Sequence, residues 1–184
     1  MEVLTDCSVL ERQLIEGCRR GEARAQERLF RHFYGFAMGI CLRYAVSRQE
    51  AQEILNDSFL KVFDAVSAGT DVQSFRAWLR RIVVNTALDR YRRTKRRAEV
   101  EVQEEESEAA VGEEAVDRLT VEEILALLDQ LPDEWRLVFN LYEIEGYPHE
   151  EIGRMLSIPA GSSRTYLARA KKRLRRLIQQ WYSS

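Results

Sequence analysis

Residues 74–97 carry a line of side chains suited to reading nucleic acid. Arg81, Asn85, Asp89 and Arg92 fall within about a third of a turn of each other at about 100° per residue. An Asn side chain offers both a donor and an acceptor, which reading a base edge requires. Arg supplies phosphate contacts and stacking. Arg80 and Arg93 belong to the same basic stretch and are assigned to DNA with it. A second group lies near the C-terminus. There Ser162, Ser163, Arg164, Tyr166 and Leu167 open a helix whose later turns carry Arg169 and Lys172. When such a helix follows a short helix and a tight turn, its first residues reach base edges and its later cations reach phosphates. A third group, Gln52, Glu53, Asn56 and Asp57, is a polar helix face. Composition gives it no partner, and a face of this kind is ordinarily solvated. No Gly-rich phosphate loop, nucleophile–base pair or metal cluster is present in the sequence, so neither catalysis nor a cofactor or metal is expected.

Charge is segregated along the chain. Between Arg76 and Arg97 nine cations face the single acid Asp89, and between Arg164 and Arg176 seven cations face none. Residues 99–123 hold eleven acids and one base, Arg118, so a net charge of -2 conceals two positive surfaces separated by a negative tract. Two such surfaces are the footprint of a protein that touches nucleic acid at two places.

The elements that must position these groups read as helices throughout, and no useful strand alternation occurs. The fold expected is all-α: two small helical domains joined by a flexible acidic linker. Apolar residues Leu29, Phe30, Phe33, Phe36, Ala37, Ile40, Cys41 and Tyr44 recur at helical spacing in residues 22–46. Ser47 with Glu50 predicts a capping box for the next helix, which buries Ala51, Ile54, Leu55, Ser58, Phe59, Val62 and Phe63. Residues 67–73 form a loop, and Ser74 starts a long helix to about residue 96, with Phe75, Trp78 and Ile82 on a line beside the basic face, where Trp78 reads as core, with a base-stacking platform as the alternative. The first domain is placed at residues 1–97 and the linker at 98–118. The linker is rich in Glu and poor in large apolar residues, so it cannot fold alone. Fully extended it would reach about 70 Å.

The second domain, residues 119–184, should begin with a helix capped by Thr120 and ending at Leu131. A helix from Pro132 to Gly146 follows, then a short helix over residues 149–156, a turn over 157–160, and a final helix. This is helix-turn-helix grammar. The stripe Leu167, Ala170, Leu174, Leu177, Ile178 and Trp181 is expected to pack on Val138, Ile152 and Leu156.

Bulk properties agree with a folded soluble protein: the hydrophobic fraction is 45% and the charged fraction 32%. No apolar run of about twenty residues occurs, and the N-terminus lacks the pattern of a secretory signal. A cytoplasmic location without membrane insertion is expected. Cys7, Cys18 and Cys41 show no zinc spacing and read as structural thiols, with a redox sensor as the alternative.

Three segments resemble, in order, the extracytoplasmic-function group of bacterial RNA polymerase sigma factors. EAQEILNDSFLKVF (residues 50–63) resembles that family's polymerase-clamp-binding helix. SFRAWLRRIVVNTALDRYRRTKRR (residues 74–97) resembles its promoter-melting and minus-ten segment. LPDEWRLVFNLYEIEGYPHEEIGRMLSIPAGSSRTYLARAKKRLRR (residues 131–176) resembles its minus-thirty-five domain. The resemblance implies that Gln52, Glu53, Asn56 and Asp57 dock on a basic coiled coil of core RNA polymerase. It implies that the helix of Arg81, Asn85, Asp89 and Arg92 contacts minus-ten promoter DNA, with one base flipped near residues 67–73. It implies an anti-sigma factor as a further partner, and transcription of a stress or envelope regulon. Asn56 and Asp57 stand where the family usually has Gln and Glu, and Tyr166 where many members have Arg. The linker is too short for the central domain of housekeeping sigma factors.

Two other classes compete. A regulator that binds duplex DNA without polymerase accounts for the second domain and leaves the first unexplained. A helical interaction protein with incidental basic faces predicts no salt-dependent DNA affinity, whereas about six phosphate contacts give a log–log salt slope of about -5.

Overall fold

A computed structural model describes residues 9–98 and 120–182, and among them every regular element is helical. In order these are α1 (Val9–Arg19), α2 (Ala23–Tyr44), α3 (Arg48–Ser67), α4 (Phe75–Ala98), α5 (Val121–Leu128), α6 (Asp133–Phe139), a π-helical turn (Asn140–Ile144), α7 (His149–Leu156) and α8 (Ala160–Tyr182). The chain divides into two compact units between Tyr91 and Arg92, inside α4. Cys7 and all of the expected linker beyond Ala98 lie outside the described residues.

Helix ends in the first unit are set by local chemistry. Gly21 and Gly69 have φ of 73° and 86°, the left-handed conformation that ends α1 and α3. After α3, Thr70 N–H reaches the Ala65 carbonyl at 3.1 Å and Gly69 N–H the Val66 carbonyl at 3.0 Å, satisfying the last free carbonyls. Ser47 caps α3, its hydroxyl accepting from Glu50 N–H at 3.1 Å. The expected reciprocal bond shifts by one residue: the Glu50 carboxylate accepts from Val46 N–H at 2.7 Å.

The periodic apolar face of α2 is buried as expected at Leu29, Phe33, Ala37, Ile40, Cys41 and Tyr44. Phe59 of α3 meets Phe30 edge-on with ring centroids 4.7 Å apart, and Phe75 of α4 lies 4.7 Å from Phe33. Trp78 and Ile82 are half-buried behind Phe75. This packing fixes one side of α3 and one side of α4, and so determines which sides remain outward.

In the second unit Thr120 forms the complete capping box with Glu123. Its N–H donates to the carboxylate at 2.6 Å, and its hydroxyl accepts from Glu123 N–H at 3.3 Å. The helix ends at Leu128, three residues before the expected end. Pro132 disfavours helical backbone at Leu131, and the carboxylate of Asp129 turns to the buried Arg136 at 2.9 Å. Leu127, Leu128 and Leu131 pack with Ala170, Leu174 and Leu177 of α8, and Trp135, Phe139 and Ile178 flank them. Trp181 is a correction to the expected stripe: it is 47% exposed at the end of α8. The segment after Pro132 is also not one uniform helix. It widens into the π turn, where Glu145 N–H bonds the Asn140 carbonyl at 3.0 Å, and stops at Gly146 with φ of 79°.

Candidate docking and nucleic-acid interfaces

The helix-turn-helix is built from α7, a tight turn and α8. Ser157 closes α7 in the left-handed conformation (φ 58°), and Ile158 N–H bonds the Gly153 carbonyl at 2.9 Å. Gly153 permits this approach, because a Cβ there would stand 2.7 Å from the Ile158 carbonyl oxygen. That requirement escaped the sequence reading, since nothing in the string distinguishes Gly153 from an ordinary helical glycine.

The structure sorts the residues at the start of α8. Ser163 is fully buried, its hydroxyl 2.9 Å from His149 Nδ1, and His149 stacks on Tyr142 at 4.4 Å. Leu167 is buried in the core at 7% exposure. Ser163, expected at a base edge, faces inward, and Leu167, expected both at a base edge and in the core stripe, takes the core place, because the two lie on the side of α8 that packs on α7 and α6. Ser162 and Tyr166 are half-buried and Arg164 is exposed. Arg164 Nη2 meets Glu150 Oε1 at 2.5 Å, linking the two helices. Glu150 is held below the usual carboxylate range, first by a backbone hydrogen bond and then by Arg164. Arg169 is exposed with its guanidinium 5.8 Å from the Trp135 ring centroid. Lys171 pairs with Glu143 at 2.7 Å, and Lys172 is half-buried.

On α4 the outward set is Arg80, Arg81, Asn85 and Arg93, all exposed, with Asp89 and Arg92 half-buried among them. Lys61 of α3 reaches across to Asp89 at 3.6 Å and to the buried Thr86 hydroxyl at 3.1 Å. A residue that sequence reasoning passed over, Arg90, bonds two acids of α3. Its Nε meets Glu50 Oε1 at 3.0 Å, and its Nη2 meets Glu53 Oε2. Burial works against the Arg90 cation, but bonds to Glu50 and Glu53 outweigh it and raise its pKa above the ordinary arginine value.

The polar face of α3 is a connected array. Gln52 donates to Asn56 at 3.1 Å and accepts from the Tyr34 hydroxyl at 3.3 Å. Glu53 accepts from Gln49 at 3.3 Å besides meeting Arg90. Asn56 and Asp57 are exposed. Beside the loop of residues 67–73 lies an open groove of about 410 Å³, lined by Arg12, Ile15, Glu16, Arg19, Asp71, Val72 and Gln73. Arg19 fixes one wall by donating to the Thr70 carbonyl at 3.0 Å.

Cys18 and Cys41 are fully buried. Burial pushes their thiols up to about 11 and about 12, far from the thiolate character a redox sensor needs. Among the described residues no helix is long and apolar enough to cross a membrane.

Comparison with known proteins matches this layout. The family model for sigma-70 region 2 matches residues 29–97, and that for sigma-70 region 4 matches residues 121–174. The RNA polymerase sigma-H factor of Pseudomonas aeruginosa is 28% identical over 181 residues, covering 92% of this chain and 94% of that protein. The ECF RNA polymerase sigma-E factor of Haemophilus influenzae is 27% identical over 190 residues, covering 97% of each. The fold is shared with the sigma factor RpoE of Bartonella quintana, solved in complex with the anti-sigma factor NepR, at 17% identity and a TM-score of 0.51 over 83% of this chain and 96% of that one. The two matched regions coincide with α2–α4 and α5–α8, the helices that carry the outward faces described above, and the chain belongs to the sigma-70 family of RNA polymerase sigma factors, in its extracytoplasmic-function group.

Proposed function

We propose that this sigma factor joins core RNA polymerase to promoters through three faces. Gln52, Glu53, Asn56 and Asp57 of α3 make the docking face for a basic surface of the polymerase. Arg80, Arg81, Asn85, Asp89, Arg92 and Arg93 of α4 meet the minus-ten element, and the groove beside residues 67–73 accepts an unstacked base. Removing a base from the stack costs a few kcal/mol, which pocket and backbone contacts offset. Ser162, Arg164, Tyr166, Arg169 and Lys172 of α8 meet the minus-thirty-five element. Ser163 acts indirectly, holding His149 and so the seating of α7 on α8. The working domains are residues 1–97 and 119–184, joined by the acidic segment 98–118, whose charge resembles that of nucleic acid. An anti-sigma factor holds the chain inactive in the cytoplasm until an envelope or other stress releases it.

One observation carries this reading: on both α4 and α8 a line of cations stays outward while the opposite side of the same helix is locked in a core. Such helices present charge in a fixed geometry to a polyanion. Run-off transcription with purified bacterial core polymerase, with and without the chain, tests the proposal on a pool of genomic promoter fragments. Start sites that depend on the chain are expected, and they would define both promoter elements. DNA binding that needs no polymerase, with no new start sites, would replace the proposal with a free-standing regulator.

A further inference from the structure

The four polar residues of the docking face are not equivalent. Both oxygens of Glu53 are engaged inside the first unit, one by Gln49 at 3.3 Å and the other by Arg90. Both oxygens of Glu50 are engaged as well, one by Arg90 at 3.0 Å and the other by Val46 N–H at 2.7 Å. Asp57, one turn beyond Glu53, is exposed, and its carboxylate makes no hydrogen bond or ion pair with any other described residue.

Arg90 is partly withdrawn from solvent, with 33% of its side chain exposed against 20% for Glu50 and 43% for Glu53. It joins two acids that lie a turn apart on α3, where they would otherwise repel each other. A planar guanidinium can hold two carboxylates at once, whereas an ammonium is a point charge. About two turns beyond Glu53 on α3 the crossing is reversed, with Lys61 of α3 reaching Thr86 and Asp89 of α4. Asp89 belongs to the face assigned to the minus-ten element. The docking side of α3 and the DNA side of α4 are therefore stitched together by two oppositely directed charge contacts.

We infer that Arg90 is a positioning residue for polymerase docking. It holds Glu53 and Glu50 from α4, so that α3 presents its docking side in a fixed register with the minus-ten helix, and it leaves Asp57 as the carboxylate that meets the polymerase. This rests on the docking role proposed above and assigns its parts: Asp57 for contact, Glu53 and Arg90 for alignment.

The test is the affinity of fluorescently labelled full-length chain for purified core polymerase, measured well below the melting temperature for R90A, R90K, E53Q, D57N and R90A/E53Q. R90A and E53Q are each expected to weaken binding about three- to tenfold, and the double variant no more than the worse single, because R90A already removes the pairing that E53Q weakens. R90K should not restore wild-type affinity. D57N should weaken binding independently, multiplying with E53Q. A purely structural Arg90 would lower the melting temperature and leave core affinity unchanged in the folded variants, which would overturn the inference. Tighter binding by R90A would also overturn it, by showing that Arg90 masks a Glu53 that itself docks. If D57N leaves core affinity unchanged, the docking role of α3 fails, a result separable from a silent R90A beside a weakened D57N. Should R90A not fold, R90K and E53Q carry the same comparison.

Discussion

Gly153→Ala sets two effects against each other. Within a helix, Ala is favoured over Gly by about 1 kcal/mol, so propensity alone predicts a more stable protein. Gly153, however, faces the turn of the helix-turn-helix, and an added Cβ would lie 2.7 Å from the Ile158 carbonyl oxygen and 3.4 Å from Ala160 N. Both are backbone atoms, so relief means moving the turn and with it the Ile158 N–H···O=C Gly153 bond of 2.9 Å. Overpacking of this kind costs about 1–3 kcal/mol, and loosening a buried backbone bond adds to it. The clash should exceed the propensity gain, for a net loss of about 1–2 kcal/mol. For a unit of this size each kcal/mol corresponds to a melting shift of about 4–8 °C. Gly39→Ala is the internal control. Gly39 is an exposed helical glycine whose Cβ would meet nothing within 4 Å, so it should show only the propensity gain of about 0.5–1 kcal/mol. Denaturant melts in a W78F/W181F background, where Trp135 reports on the second unit alone, measure the effect of Gly153→Ala. Whole-chain circular dichroism measures that of Gly39→Ala. Minus-thirty-five affinity should fall with Gly153→Ala as well, because the start of α8 moves. Stability of Gly153→Ala equal to or above the parent would refute the argument that this turn is closed by backbone contact.

Other expectations follow from the same geometry. Arg164→Ala should weaken minus-thirty-five recognition by about 1–3 kcal/mol and relax preference at one base pair; an equal loss on every sequence, measured across a panel of promoter variants, would make Arg164 a phosphate contact instead. Ser163→Ala should cost about 1 kcal/mol of second-unit stability by removing the buried partner of His149, while base preference on that panel stays unchanged; a changed preference would return Ser163 to the DNA. The thiols of Cys18 and Cys41 titrate higher in the fold, at about 11 and about 12, than the ordinary 9.0. Between those values the unfolded chain loses protons that the fold retains, so their contribution is complete below the ordinary value and is lost as pH rises. Urea midpoints of the first unit should therefore fall as pH rises from 9.0 toward about 11, and C18A/C41A should flatten that decline; an identical slope in the variant would remove the thiols from the account.

Local chemistry made much of this protein legible in its sequence. The apolar spacing of α2, the caps at Ser47 and Thr120, the loop at residues 67–73, the stop at Gly146, and the grammar of α7 and α8 all depend on residues within a turn or two of each other. These relations are written in the string itself, and the all-α class and the two basic faces follow from them. The tertiary structure decided which polar side chains are left for a partner. Ser163 reads as groove-facing from its place at the start of α8, yet it turns inward to His149 of α7. Glu53 reads as a free acid until α4 supplies Arg90, 37 residues away, and Arg164 reads as a free cation until Glu150, 14 residues away, meets it. Gly153 reads as a weak helical residue until the chain returns over it at Ile158. Helical spacing fixes direction around a single axis, whereas exposure and charge pairing depend on what a second helix brings alongside, and that is settled only when the helices pack.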